Sequence, residues 1–296
     1  MRRFILFILI GLLLTGASYA REPQVSKGHL ATYAKFKSQY IAARTIRVWT
    51  PSNYDPNQRY DVLYMHDGQM LWDASVAWNH QEWGVDEAMD SLILSGRIRP
   101  TIVVGIDNTL NRIGEYCPDD ISMFLPKGKP VYPTLKAQGH AYLQFLVEEV
   151  KPFIDSHSPV YTDRAHTWVM GSSCGGLISS YALCKYPEVF GGAVCMSTHC
   201  TLAFPVPDAP NKAVVGAYRK YLAQHLTPNS ALLYFDDGDQ TLDAYYGATQ
   251  AAINDTLRTL GWDEAHMVYR FFPGHAHCED DWKARLDIPL LFILGK

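Results

Sequence analysis

TWVMGSSCGG, residues 167–176, is the stretch on which the fold turns. A short apolar run, Thr167 to Met170, leads into Gly171-Ser172-Ser173-Cys174-Gly175, and a helix-like segment, Leu177 to Tyr186, follows. The pattern is G-x-S-x-G, and only Ser173 fits its centre. A frame on Ser172 would need glycines where Met170 and Cys174 stand. A sharp strand-to-helix turn holds its serine in a strained conformation, and glycines two residues to either side let neighbouring backbone pass without a Cβ in the way. The hydroxyl then stands at the end of the sheet. The N–H of Cys174 points, with the positive end of the helix, toward any oxyanion formed there. A plain glycine turn is the competing reading; the strand before and the helix after favour chemistry.

Working outward, short apolar runs alternate with helical patterns. Arg44 to Trp49 alternates polar and apolar residues, as a half-buried strand does. Tyr60 to Met65, Thr101 to Ile106, Gly192 to Met196, Ala231 to Phe235 and Val268 to Phe272 are more continuously apolar, which predicts strands covered on both faces. Helical spacing runs over Gly84 to Leu94, His140 to Ile154, Asp243 to Leu260 and Glu279 to Leu291, with Pro152 expected to cap or kink the second of these. The alternation predicts an α/β fold with a mostly parallel twisted sheet and helices on both faces. Residues 107–135, rich in Pro, Gly and Asp, read as a long loop over the site.

The chain opens with Arg2 and Arg3, an apolar run from Phe4 to Leu14 and a small-x-small ending at Ala20. The run is short for a bilayer span, and the pattern predicts a cleaved signal peptide over 1–20 and a secreted or periplasmic protein. Residues 21–296 are then expected to form one catalytic domain with no stable membrane association. The formal charge of −4 and the lack of a basic run give no reason to expect nucleic acid as a partner. The six cysteines, Cys117, Cys174, Cys184, Cys195, Cys200 and Cys278, contain no C-x-x-C pair, so thiol redox chemistry and a zinc ribbon are not expected; their pairing is left open.

A serine hydroxyl needs a base, and histidine suits that task. The order nucleophile, acid, base places the histidine after the last strand, where His275 and His277 compete. The acid belongs after Ala231 to Phe235, where Asp236, Asp237, Asp239 and Asp243 crowd one loop; Asp243 also reads as a helix N-cap. His275, His277, Glu279, Asp280 and Asp281, with His66 and Asp67 elsewhere, form a ligand-like set, but they lack the H-E-x-x-H spacing of a helical metal site.

Several blocks together, YDVLYMHDGQMLWD, WGVDEAMD, GEYCPDD, FLVEEVKPFID, GSSCGGLISSYALCKYPEVFGG and GHAHCEDDW, resemble the Putative esterase family of α/β-hydrolases, with feruloyl esterases, siderophore esterases and S-formylglutathione hydrolases among its relatives. The resemblance runs from about residue 40 to 292. It implies Ser173 as nucleophile and, through the block H-x-E-x-x-W, His277 rather than His275 as base. It implies an acid soon after a strand-end glycine: Asp243 first, Asp239 second, in a loop that departs from the family by carrying Asp239 where threonine is usual. The oxyanion donors it implies are the N–H of Cys174 and one from His66-Asp67-Gly68-Gln69-Met70, Gln69 or Met70.

The expected function is serine-dependent carboxylic ester hydrolysis through an acyl-enzyme, which calls for no cofactor and no metal. An acyltransferase on the same residues and a catalytically silent binding protein are the alternatives. The substrate is expected to be a small-molecule or glycan-linked ester, with Trp72, Trp78 and Trp83 either stacking on it or lying in the core. Asn108, Arg112 and Tyr116 are expected to line the pocket on the resemblance alone.

Overall fold

The structure is a computed structural model that describes residues 21–126, 136–202 and 212–296. The signal-peptide reading over 1–20 lies outside the described residues, as does the end of the loop expected over 107–135, from residue 127 on. Eight strands form one sheet in the order β1-β2-β4-β3-β5-β6-β7-β8. They are β1 (His29–Phe36), β2 (Arg44–Thr50), β3 (Asp61–His66), β4 (Thr101–Ile106), β5 (Thr167–Ser172), β6 (Gly192–Met196), β7 (Leu232–Asp237) and β8 (Met267–Phe271). β1 and β2 are antiparallel to their neighbours, and every pairing from β4 through β8 is parallel.

The continuous apolar runs mark the covered strands: every residue of β3, β4, β5 and β6 is buried. Alternate side chains feed two cores. Tyr64, Val104 and Val169 face one with Tyr142 and Ile178, while Leu63, Val103 and Met170 face the other with Met89 and Leu290. The sequence reading did not include β1, whose residues are half-exposed or exposed along its length. It also missed the helix Lys212–His225.

Two helices differ from expectation for one reason. Proline lacks the N–H that would bond four residues back, and its ring crowds that carbonyl. Pro152 therefore neither caps nor ends its helix; the chain adapts with a π-helical turn over Phe145–Val150 between Gly139–Gln144 and Lys151–His157. Pro289 divides the last predicted helix into Glu279–Ala284 and Asp287–Leu294, with Arg285 at the break. The loop after β4 is not structureless: Arg112–Glu115 is a short helix and Asp119–Phe124 a 3-10 turn.

The register brings the C-terminal ends of the parallel strands to one edge. Ser172 lies beside Met196, and Met196 beside Asp236. The loops leaving β3, β4, β5, β6, β7 and β8 converge there, which is where open α/β sheets place ligands.

Candidate active site

Ser173 occupies the turn between β5 and the helix Cys174–Lys185 with φ 57° and ψ −123°. That conformation costs a non-glycine residue about 1–3 kcal/mol and is held by its surroundings. The Ser173 N–H donates to Met196 O at 2.9 Å, and its carbonyl accepts from His199 N–H at 3.1 Å. Close approach explains Gly171, where an added Cβ would lie 2.7 Å from the Gly175 carbonyl carbon. The first bond of the helix runs from Leu177 N–H to Ser173 O, so the N–H groups of Cys174, Gly175 and Gly176 have no partner within it.

The histidine loop crosses the acid loop. Gly238 permits this, because a Cβ there would stand 2.1 Å from the His275 carbonyl oxygen. His277 Nδ1 lies 2.7 Å from Asp243 Oδ1, and the His277 N–H donates to Thr241 Oγ1 at 2.8 Å. Asp243 does not act as an N-cap. Its Oδ2 accepts instead from the Gly238 N–H at 2.7 Å and from the Ser197 hydroxyl at 2.6 Å. Burial works to raise the Asp243 pKa, but these donors, His277 foremost, hold it below the usual carboxylate range.

The other candidates lie elsewhere. Asp239 is half-exposed and bonds to the Gln240 side chain and the Gly274 N–H. Burial raises Asp237 to about 6, and Asp236 is committed to Arg285 at 3.0 Å. His275 accepts from Arg285 Nη1 at 3.2 Å. The ligand-like run around His275 does not converge: among the described residues the group placed to share a metal ion is Glu82, Asp86 and Glu87. None of the six cysteines is paired, and the Cys174 thiol is buried, which raises its pKa despite nearby Arg112.

Ser173 and His277 line the same cavity, of about 480 Å³. Trp78, Trp83 and Trp282 give it flat aromatic walls; Trp83 and Trp282 pack at 5.3 Å, and Trp78 is 80% exposed at the mouth. Trp72, by contrast, is core. Arg112 and Asn108 line the cavity as expected, but Tyr116 lies beneath it and accepts from the Asp67 N–H at 3.2 Å.

Asp67 closes the floor. Its carboxylate takes Arg112 Nε and Nη2, both at 2.7 Å, and Asn108 Nδ2 at 2.5 Å. Burial opposes its ionisation and Arg112 more than offsets that, so its pKa falls. Burial pushes His66 down to about 3; its Nδ1 pairs with Tyr142 Oη at 2.7 Å. After Asp67 the chain makes a 3-10 turn, Gly68–Met70, in which the Met70 N–H donates to Asp67 O at 2.8 Å. The Gln69 N–H is left outside that bonding pattern, while its side chain accepts from the Asn108 N–H at 3.0 Å.

Sequence reasoning missed Ser197 and Arg285, and it placed Asp236 only among the four candidates for the acid, not as the partner of Arg285. A signal for Ser197 exists only once strand order is known: β6 lies between the serine strand and the acid strand, so its end must touch both.

This strand order, with a strained serine on the turn after β5 and a histidine–carboxylate pair at the same edge, is that of an α/β-hydrolase. A family model described as "Putative esterase" matches residues 41–288, and the chain belongs to that family. Curated relatives include the uncharacterized protein YbbA of Bacillus subtilis, 24% identical over 149 residues, 50% of this chain and 54% of that one. An endo-1,4-beta-xylanase/feruloyl esterase of Xylanibacter ruminicola is 24% identical over 214 residues, 67% of this chain and 26% of that one. The chain thus spans about half the length of the first of these and about a quarter of the second. Among solved structures, a ferulic acid esterase from Anaeromyces mucronatus in complex with ferulic acid superposes with TM-score 0.62 at 16% identity, covering 94% of this chain and 95% of that one. The enterobactin esterase FES from Shigella flexneri gives TM-score 0.61 at 19% identity, covering 92% and 60%. These likenesses show the fold.

Proposed function

We propose that the protein is a carboxylic ester hydrolase that works through Ser173, His277 and Asp243. The observation that carries the reading is the 2.7 Å pairing of His277 with Asp243, residues 34 apart, at the cavity that Ser173 also lines. Ser173 attacks the ester carbonyl while His277 takes its proton. The tetrahedral intermediate expels the alcohol, which receives that proton from His277, and water repeats the sequence on the acyl-enzyme. Asp243 holds the Nδ1–H tautomer and stabilises the imidazolium. The N–H groups of Cys174 and Gln69 receive the oxyanion, each worth about 3–4 kcal/mol in hydrolases of this kind. Met70 is the weaker choice because its N–H already bonds to Asp67 O.

The aromatic walls suit a planar acyl group, and relatives named as feruloyl and enterobactin esterases support an aromatic ester as substrate, free or glycan-linked. Residues 21–296 would act as one catalytic domain after export directed by residues 1–20. No helix among the described residues is long and apolar enough to cross a membrane.

The test is hydrolysis of p-nitrophenyl acetate, longer p-nitrophenyl esters and methyl ferulate by the protein beside Ser173→Ala, with competing alcohols added to reveal acyl transfer. Activity that is lost in a folded Ser173→Ala supports the reading. Activity that persists in it refutes it. The amino terminus of the protein recovered from the periplasm or medium tests export.

A further inference from the structure

We propose that Ser197, Trp282 and Arg285 are positioning residues: together they force the Ser197 hydroxyl proton onto one oxygen of Asp243 and so reserve the other for His277. The proposal rests on the reading of Ser173, His277 and Asp243 as the reacting set.

Hydrogen counting carries it. Ser197 Oγ has three close polar neighbours: Trp282 Nε1 at 2.9 Å, Arg285 Nη2 at 2.9 Å and Asp243 Oδ2 at 2.6 Å. An indole N–H and a guanidinium can only donate. A hydroxyl has two lone pairs and one proton, so these two donors fill both lone pairs. The proton has one remaining direction, the carboxylate. Asp243 Oδ2, which also accepts the Gly238 N–H at 2.7 Å, is thereby saturated, and Oδ1 is left for the imidazole.

Arg285 is fixed for this task. Its Nη2 and Nε reach Asp236 Oδ1 and Oδ2 at 3.0 and 3.3 Å, its Nη1 reaches His275 at 3.2 Å, and it is only 1% exposed. One guanidinium thus ties the end of β7, the loop after β6 and the histidine loop together. Two features speak against a purely structural role. A buried ion pair is a poor stabiliser compared with apolar packing. Ser197, moreover, is held at φ 41°, a conformation unfavourable for a non-glycine residue. The charged and titratable groups around Asp243 are His277, Arg285, Asp236, Asp237, Tyr246 and Tyr269.

The experiment is Ser197→Ala in the full chain, assayed across pH with p-nitrophenyl acetate beside wild type and Ser173→Ala. The expected result is a fall in kcat of about ten-fold, the worth of one hydrogen bond to a charged group, with KM unchanged because Ser197 does not line the cavity. The acid limb of kcat/KM should move to higher pH, since the Asp243 anion loses a donor. Trp282→Phe, which frees one lone pair of Ser197, should move the limb the same way by less. If Ser197→Ala fails to fold, Ser197→Gly carries the test, because glycine accepts that backbone without strain. A kcat within two-fold of wild type with an unmoved acid limb overturns the proposal and leaves the Ser173 reading standing. A loss of activity that merely follows the folded fraction, with the limb unmoved, also overturns it. Full activity in Ser173→Ala would remove the reading beneath both.

Discussion

Replacing Asp243 with asparagine tests the orientation of the imidazole most directly. The amide has one oxygen and one NH2 group, and the site decides which goes where. Toward the Oδ2 position come two donors, the Ser197 hydroxyl and the Gly238 N–H, at 2.6 and 2.7 Å. An NH2 placed there forfeits both hydrogen bonds, while one placed at Oδ1 keeps them. At about 1 kcal/mol net for each bond the difference is about 2 kcal/mol, or about thirty-fold in population. The NH2 therefore faces His277 and donates to Nδ1, 2.7 Å away. Nδ1 must then be the acceptor, and the ring proton moves to Nε2, where it cannot take the proton of Ser173. The expected loss in kcat is at least about thirty-fold and approaches the roughly 10⁴-fold seen for the same change in a serine protease. Asp243→Ala imposes no tautomer and should retain more activity than Asp243→Asn. Steady-state kinetics on p-nitrophenyl acetate, with circular dichroism to confirm folding, decides the matter. An Asn variant above a tenth of wild-type kcat would refute the orientation account, and so would a large loss in Asp239→Asn.

Other outcomes follow from single positions. Ser173→Gly should abolish activity yet raise the melting temperature by about 2 °C or more, because glycine relieves the strain at φ 57°; calorimetry showing a lower midpoint would contradict this. Gly238→Ala should cut kcat by an order of magnitude or more, since its Cβ would force the His275 carbonyl away and shift the histidine loop; wild-type turnover would show that the crossing is not tight. His66 is held neutral by burial, which pushes its pKa down to about 3 in the folded chain from the ordinary value of 6.5. The unfolded state thus binds the extra proton, and stability should fall as pH drops through that window, by about 1.4 kcal/mol per unit at most. His66→Gln should flatten urea-unfolding free energies between pH 6 and 4, and an NMR titration placing His66 above pH 5 would contradict the assignment. Cys278, half-buried, should alkylate before the five buried cysteines, as peptide mass mapping after brief iodoacetamide treatment would reveal.

The sheet was legible because its central strands are buried on both faces, so Thr101 to Ile106 and Gly192 to Met196 carry unbroken apolar runs with sharp ends. β1 escaped because an edge strand need not be apolar: Tyr33 is exposed, and His29, Thr32 and Lys35 break the strand into pieces too short to read as an apolar run. Ser173 was legible because a strained turn demands glycines at fixed offsets. His277 could be told from His275 only through the resemblance, and the structure separates them by partner: Asp243 for one, Arg285 for the other. The polar residues behind Asp243 were illegible for a different reason. Ser197, Asp236 and Arg285 meet through sheet order and a proline-induced helix break, and no local pattern announces either.

The histidine loop hangs from β8, the outermost strand on its side of the sheet, whose last two residues are exposed, whereas Ser173 follows a strand buried throughout. Opening free energies track that difference: edge elements detach in local excursions that leave the centre of a sheet intact. The base is thus mounted on the part of the sheet expected to open at the lowest cost. In rising urea, turnover should disappear before the far-ultraviolet signal does, and amide exchange along Met267–Phe271 should outpace that along Thr167–Ser172.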